Sequence, residues 1–352
     1  MQINRRYDID WIRTIVLFLL IVYHAFISFM PFASDFLFPE NKVHLEAYWP
    51  LMALINIWRI PILFIISGMG VYFAFQNRTV KKIIKDRVLR ILVPFIFGFF
   101  VICPLQFICQ LEFYNYPYPL SYYPGSDHLW FLLNIYVYFQ VLIFLFLYLK
   151  TNPNNLFLSF FKKVIKYKFG VYVFLVPFVL EALIVNPEHY SLFAKSSHGW
   201  ILGFICFFTG FIFVSIKEHF WCSINRIRFF TLCIAIILYL IRISYVEIEY
   251  KNVLIAIESF NWIIVVFAFA ARHLNKPSKI LSYLSVAVYP VYIVHMPLQY
   301  VFSLLIFTLE IPAFLKLILM VFLILFSSLF LYEFIIKRIF FLRPLFGLKF
   351  KK

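Results

Sequence analysis

Charge is what this chain has least of: only 14% of its 352 residues are Asp, Glu, Lys or Arg, while 64% are hydrophobic. A soluble domain cannot cover its surface from so small a charged set, so a water-soluble fold is excluded. Paired cysteines are also missing, because Cys103, Cys109, Cys206, Cys222 and Cys233 form no C-x-x-C unit. Most of them lie in apolar runs, where a thiol acts as a small hydrophobe, and no redox or metal role is expected for them. There is no long polar stretch. The connections near 32–50, 112–128 and 150–168 have room only for short interfacial pieces. No internal repeat or low-complexity tract is visible, which disfavours the inverted-repeat plan of many transporters. The first apolar run, from Trp11 to about Pro31, lacks a small-residue cleavage site and is long enough to span a bilayer, so it is expected to stay in the mature protein.

What is there is apolar length. Mean hydropathy is +0.91, and ten runs approach the ~20 residues that a spanning helix needs. They lie near 11–31, 51–75, 89–111, 129–149, 169–186, 199–216, 229–246, 252–271, 282–308 and 313–336. The formal charge of +16 points to no nucleic-acid partner, since the basic residues are scattered between these runs. Instead they alternate: 26 of the 32 Lys and Arg fall in the connections of one side. The other side holds Lys42, Lys195, Lys251 and Lys316, and Arg59 and Arg242 lie inside apolar runs. The excess of Lys and Arg in cytoplasmic loops then predicts an all-α polytopic membrane protein, residues 1–352 as one transmembrane domain, with about ten spans and both termini cytoplasmic.

Ionisable residues inside hydrocarbon are costly and each raises a functional question. Here they are His24, Arg59, Glu181, Arg242, Glu258 and His295. Arg242 can snorkel to an interface and Glu181 can pair structurally. In the first run Arg13 and His24 are eleven residues apart, which returns to within about 20° of one helix face at a rise of about 16 Å. Asp10, three residues before Arg13, lies near the same stripe and could orient the guanidinium. A lone histidine in a span serves a helix-to-helix hydrogen bond as readily as catalysis.

Other features have two readings each. Arg87 and Arg90, one turn apart before Pro94, could clamp a phosphate or anchor the helix. Ser67-Gly68-Met69-Gly70 suits close helix packing. The aromatic run from Phe113 to Tyr123 is either an interfacial belt or a stacking platform for a sugar, with Asp127, His128 and Trp130 just beyond it.

Together these elements resemble acyltransferase family 3, bacterial ten-helix membrane enzymes that acylate extracytoplasmic glycans. Arg13-x10-His24 resembles the family's defining element, Arg87-x-x-Arg90-x-x-x-Pro94 its third-helix motif, and Phe64-Ile-Ile-Ser67-Gly68 its second-helix signature. Arg59, His128-Leu-Trp130-Phe-Leu and Tyr289-Pro-Val-Tyr292-Ile-Val-His295 are similar to the glucan-biosynthesis subgroup. The resemblance implies a bacterial cytoplasmic membrane location and transfer of a short acyl group, acetyl or succinyl, from cytoplasmic acyl-coenzyme A to a glycan hydroxyl outside. Acyl-coenzyme A is then a cosubstrate, with no cofactor bound permanently and no metal. Some family members add a soluble esterase-like domain, whereas this chain runs to the basic Leu348-Lys-Phe-Lys-Lys352, so its helical domain is expected to act alone or with a separate partner.

In that chemistry His24 would be a general base or form an acyl-His intermediate, and Arg59 would stabilise the oxyanion. Arg13, Arg87 and Arg90 would hold the phosphates of the donor. His128 and Trp130 would meet the acceptor at the extracytoplasmic mouth and His295 would orient the base or bind the acceptor, with Asp10 and Glu258 in support. A transporter or flippase for an anionic solute or glycan precursor would also use intramembrane Arg and His, and a non-catalytic scaffold is the third reading.

Overall fold

The computed structural model describes residues 5–76, 78–115, 122–244 and 251–350, and these are helical with no strand among them. Tyr116 and Tyr118 of the aromatic run lie outside the described residues. Among the described residues nine helices are long and apolar enough to cross a membrane. With one shorter element they are labelled α1 (Tyr7–Ile27), α2 (Glu46–Gln76), α3 (Val80–Phe113), α4 (Asp127–Thr151), α5 (Gly170–Val185), α6 (Ser197–Ser215), α7 (Glu218–Ser244), α8 (Lys251–His273), α9 (Lys279–Ile306) and α10 (Ala313–Ile336). The protein is thus an all-helical polytopic membrane protein. The tenth expected span, α5, falls short of the others because it opens as a 3₁₀ turn, Gly170–Phe174, before its α-helix Val176–Val185. The steeper rise of the 3₁₀ turn still carries the element about 25 Å, close to the thickness of a thin hydrocarbon layer.

The chain divides into two compact units. The first comprises Met1–Arg13, Ala53–Ile84 and Asn134–Leu281. Its spine is the backbone contact of α2 with α6. A Cβ on Gly68 would lie 1.9 Å from the Phe207 carbonyl oxygen, and one on Gly210 2.0 Å from that of Ile65, so both positions must stay bare. The Ser67-Gly68 element therefore packs helices. Beside this seam Phe146 stacks on Phe211 with centroids 3.9 Å apart.

Within the same unit α2 is broken at Ile57 and Trp58. A break in hydrocarbon orphans the carbonyls of the preceding turn, and each needs a donor. Arg242 Nη2 donates to Ala53 O at 2.8 Å, Trp58 Nε1 to Leu54 O at 2.8 Å, and Ser259 Oγ to Ile57 O at 3.0 Å. Arg242 also clasps Glu258 at 2.6 and 2.9 Å. Its charge is therefore met inside the protein, and simple snorkelling is replaced by an ion pair that closes a helix break.

The second unit comprises Thr14–Met52, Lys85–Leu133 and Ser282–Lys352. Prolines shape its helices, because each lacks the N–H that would pair with the carbonyl four residues earlier. In α3 a π-helical turn stands just before each proline: Val88–Leu92 before Pro94, and Gly98–Ile102 before Pro104. The Phe100 carbonyl freed by Pro104 accepts from Tyr122 Oη at 2.7 Å, and the neighbouring Phe99 carbonyl from Gly125 N at 3.2 Å. Along α10, Phe322, Phe326, Phe330 and Phe334 form an exposed stripe at four-residue spacing, the face that hydrocarbon would wet. After α10 the chain turns at Gly347 with φ +71°, where a Cβ would lie 2.2 Å from the Tyr289 ring. Glycine is required there on both counts.

Candidate active site

The site grows from Pro297 in α9. Having no N–H, it leaves the Ile293 carbonyl, four residues earlier, without its helical partner. His128, in the first turn of α4, supplies the missing donor: its Nε2 lies 3.1 Å from Ile293 O. Tyr292 Oη donates in turn to the His128 carbonyl, so ring and backbone of His128 are both tied to α9. A carbonyl only accepts, so His128 carries its proton on Nε2 and the neutral ring keeps its lone pair on Nδ1. That Nδ1 is buried and has no hydrogen-bond partner among the described residues.

His295, fully buried two residues before the proline, is fixed by the same logic. Its Nδ1 faces the Tyr292 carbonyl and must donate to it, which leaves the lone pair on Nε2. His24 Nδ1 lies 3.1 Å from that Nε2, with the two rings stacked 5.3 Å apart at 8°. His24 is therefore the donor in this contact, and when its ring is neutral the lone pair sits on Nε2. Two backbone carbonyls thus set the tautomers of three rings, since His128 also meets His295 edge-on at 5.2 Å. No carboxylate takes part in these three contacts. A proton arriving on His24 Nε2 would be stabilised through Nδ1 by the His295 lone pair, and His295 would pass nothing further because its Nδ1–H is held on a carbonyl.

α1 delivers His24 from its last turn, where carbonyls lack helical partners. Gln299, one turn beyond His295, donates Nε2 to the His24 carbonyl at 2.7 Å and to Ser28 Oγ at 3.2 Å. Sequence reasoning missed Gln299 and the role of Tyr292. The signal for Gln299 was its place four residues after His295 in an apolar helix, a spacing that puts both on one face.

Of the other residues singled out, Arg13 belongs to the first unit, where its Nη2 lies 3.3 Å from Asp10 Oδ1, and Asp10 also binds Arg5 at 2.7 Å. Arg13 and His24 share the uninterrupted helix α1. Arg59, 4% exposed, opens the second half of α2 in the first unit. Glu258 is engaged there by Arg242 and, at 3.3 Å, by Trp262 Nε1. Glu181 pairs with His198 Nδ1 at 2.7 Å, while His198 Nε2 donates to Tyr190 O at 3.0 Å. In the second unit Arg87 and Arg90 are half-buried around the first π turn of α3, and Trp130 is buried two residues after His128. Among the described residues no three His, Cys, Asp or Glu side chains are grouped to hold a metal ion.

Against known proteins, the acyltransferase 3 family model, described as an acyltransferase domain, matches residues 6–333. No curated protein and no solved structure matches the chain.

Proposed function

The chain belongs to the acyltransferase 3 family, and from that premise we propose that it moves a short acyl group, acetyl or succinyl, from cytoplasmic acyl-coenzyme A to a hydroxyl of an extracytoplasmic glycan. That it is a membrane acyltransferase follows from the family and the fold. The observation that carries the finer reading is the Tyr292 carbonyl–His295–His24 series, which leaves a neutral imidazole with its basic nitrogen at Nε2.

In this reading His24 Nε2 takes the proton of the acceptor hydroxyl as its oxygen bonds to the thioester carbonyl carbon. The tetrahedral adduct then breaks its C–S bond, and the proton passes from His24 to the departing thiolate. His295 is a positioning residue that holds the tautomer. Arg59 is the proposed partner of the oxyanion. Arg13, Arg87 and Arg90 are the proposed partners of the phosphates of coenzyme A, whose pantetheine arm is comparable to the rise of about 16 Å from Arg13 to His24. The donor side is cytoplasmic because Lys and Arg crowd the connections that flank these arginines. The motifs similar to the glucan-biosynthesis subgroup support a secreted glucan as acceptor, with His128 and Trp130 beside it.

The test is free-thiol release by purified protein from a panel of short acyl-coenzyme A donors, with and without glucan acceptors. Release by the wild type that is lost in His24→Ala is the expected result. Equal release by a folded His24→Ala protein would remove His24 from the mechanism.

A further inference from the structure

The second unit holds, beside the histidine layer, a set of hydrogen-bond acceptors that nothing among the described residues satisfies. Gln299 is fully buried, and its amide is oriented by two contacts: the His24 carbonyl and Ser28 Oγ both face Nε2. A carbonyl cannot donate, so Oε1 points elsewhere, and it has no partner among the described residues. His128 Nδ1 is in the same condition, on a ring whose Nε2 meets α9 at Ile293, six residues before Gln299. Gln106 on α3 adds a third. Its amide meets Tyr300, whose hydroxyl is already donated to Leu37 O at 2.6 Å, so Gln106 must donate to it and keep Oε1 as an acceptor without a partner. Buried acceptors left bare are costly and uncommon, and three around one stretch of α9 call for a common explanation.

Resting on the acyl-transfer reading of the same site, we propose that Gln299 Oε1 and His128 Nδ1 bind hydroxyl groups of the acceptor next to the one that reacts, and so select a neutral polyol. The chemistry is directional. Gln299 Oε1 and His128 Nδ1 both present lone pairs, so a ligand must bring more than one O–H donor, as a sugar does through its neighbouring hydroxyls. An ionised carboxylate brings acceptors only and would set lone pair against lone pair, and a phosphate brings one or two O–H donors among charged acceptors that a site without cations would have to desolvate. Gln299 is also a positioning residue, since the same amide holds the backbone of His24. One side chain thereby couples the base to the hydroxyl beside the reacting one.

The experiment measures the thermal midpoint of purified protein against millimolar methyl β-D-glucopyranoside, trehalose, potassium succinate and potassium phosphate. Wild type is expected to gain a few degrees with the two polyols, saturating below about 50 mM, as binding to the folded state alone requires. Exclusion of sugars from the surface would instead rise without saturation and act on every variant alike. Gln299→Met should lose the saturable gain, while Gln299→Glu, which restores an acceptor oxygen and in its protonated form a donor toward His24, should keep it. Absence of a saturable gain, an equal gain in Gln299→Met, or a Gln299-dependent gain with succinate or phosphate would each overturn the assignment. Thiol release that depends on His24 is scored separately. If it persists while the polyol effect is absent, the acyl-transfer reading stands and this assignment falls; the reverse result leaves a polyol site without acyl transfer.

Discussion

The two units bury polar side chains in opposite ways. In the first, buried carboxylates meet basic side chains: Glu258 with Arg242, which also closes the break in α2, and Glu181 with His198. In the second, three imidazoles are held by backbone carbonyls and by one another, with the acceptor nitrogens at His128 Nδ1 and, in the neutral ring, at His24 Nε2. A paired charge in hydrocarbon is committed to its partner, and taking one member away strands the other. A neutral ring held at one nitrogen is ordered yet keeps a reactive nitrogen. The contrast teaches where to look for stability and where for chemistry, and it can be broken by experiment.

The largest effects should come from exchanging the two expectations. His24→Ala is expected to lower acyl transfer about 10³-fold with little change in thermal midpoint, as removal of a general base does. Arg242→Met should do the reverse, costing about 3–5 kcal/mol of stability by leaving Glu258 buried alone. Its rate per folded molecule should be unchanged. Denaturant titration alongside thiol release separates the two, and a folded but inactive Arg242→Met would end the division of labour.

Two buried histidines sharpen the comparison at smaller amplitude. His295→Leu removes the acceptor that fixes the His24 tautomer, and a fall in kcat of about 10²-fold is expected with KM for the donor unchanged. His198→Leu removes the partner of Glu181 and should lower the unfolding midpoint without a comparable loss of kcat. If both variants lose only stability, His295 is structural and the tautomer argument fails.

How far this contrast could be read in advance differs by element. The spans were legible because hydrocarbon forces every backbone group into internal hydrogen bonds, so apolar length alone points to a helix. α5 came out short because a 3₁₀ turn lengthens the path per residue, which composition does not encode. His24, His128 and His295 each stood out, yet their meeting joins residues 271 apart in the chain and depends on tertiary packing. Arg242 and Glu258 were both visible as charges in apolar runs, but not that one clasps the other, because nothing local relates α7 to α8. Gln299 escaped notice since an uncharged amide in a span raises no alarm until its partners are known.

The smallest expected effect tests the origin of the second unit's arrangement. Pro297→Ala returns an N–H to α9, and that N–H competes with His128 for the Ile293 carbonyl. The helix should gain stability, up to ~3 kcal/mol if the bond closes fully. The same bond would release His128 Nε2 and free its ring to turn. Transfer should then fall about tenfold, with the loss in the acceptor KM, because His128 is argued to meet the acceptor while the His24–His295 contact does not use that carbonyl. Measured together, a higher midpoint and a weaker acceptor KM in one variant would show that the second unit gives up helix stability to aim a ring. A variant with unchanged KM would mean that the tie from His128 to Ile293 fixes α4 against α9 and no more.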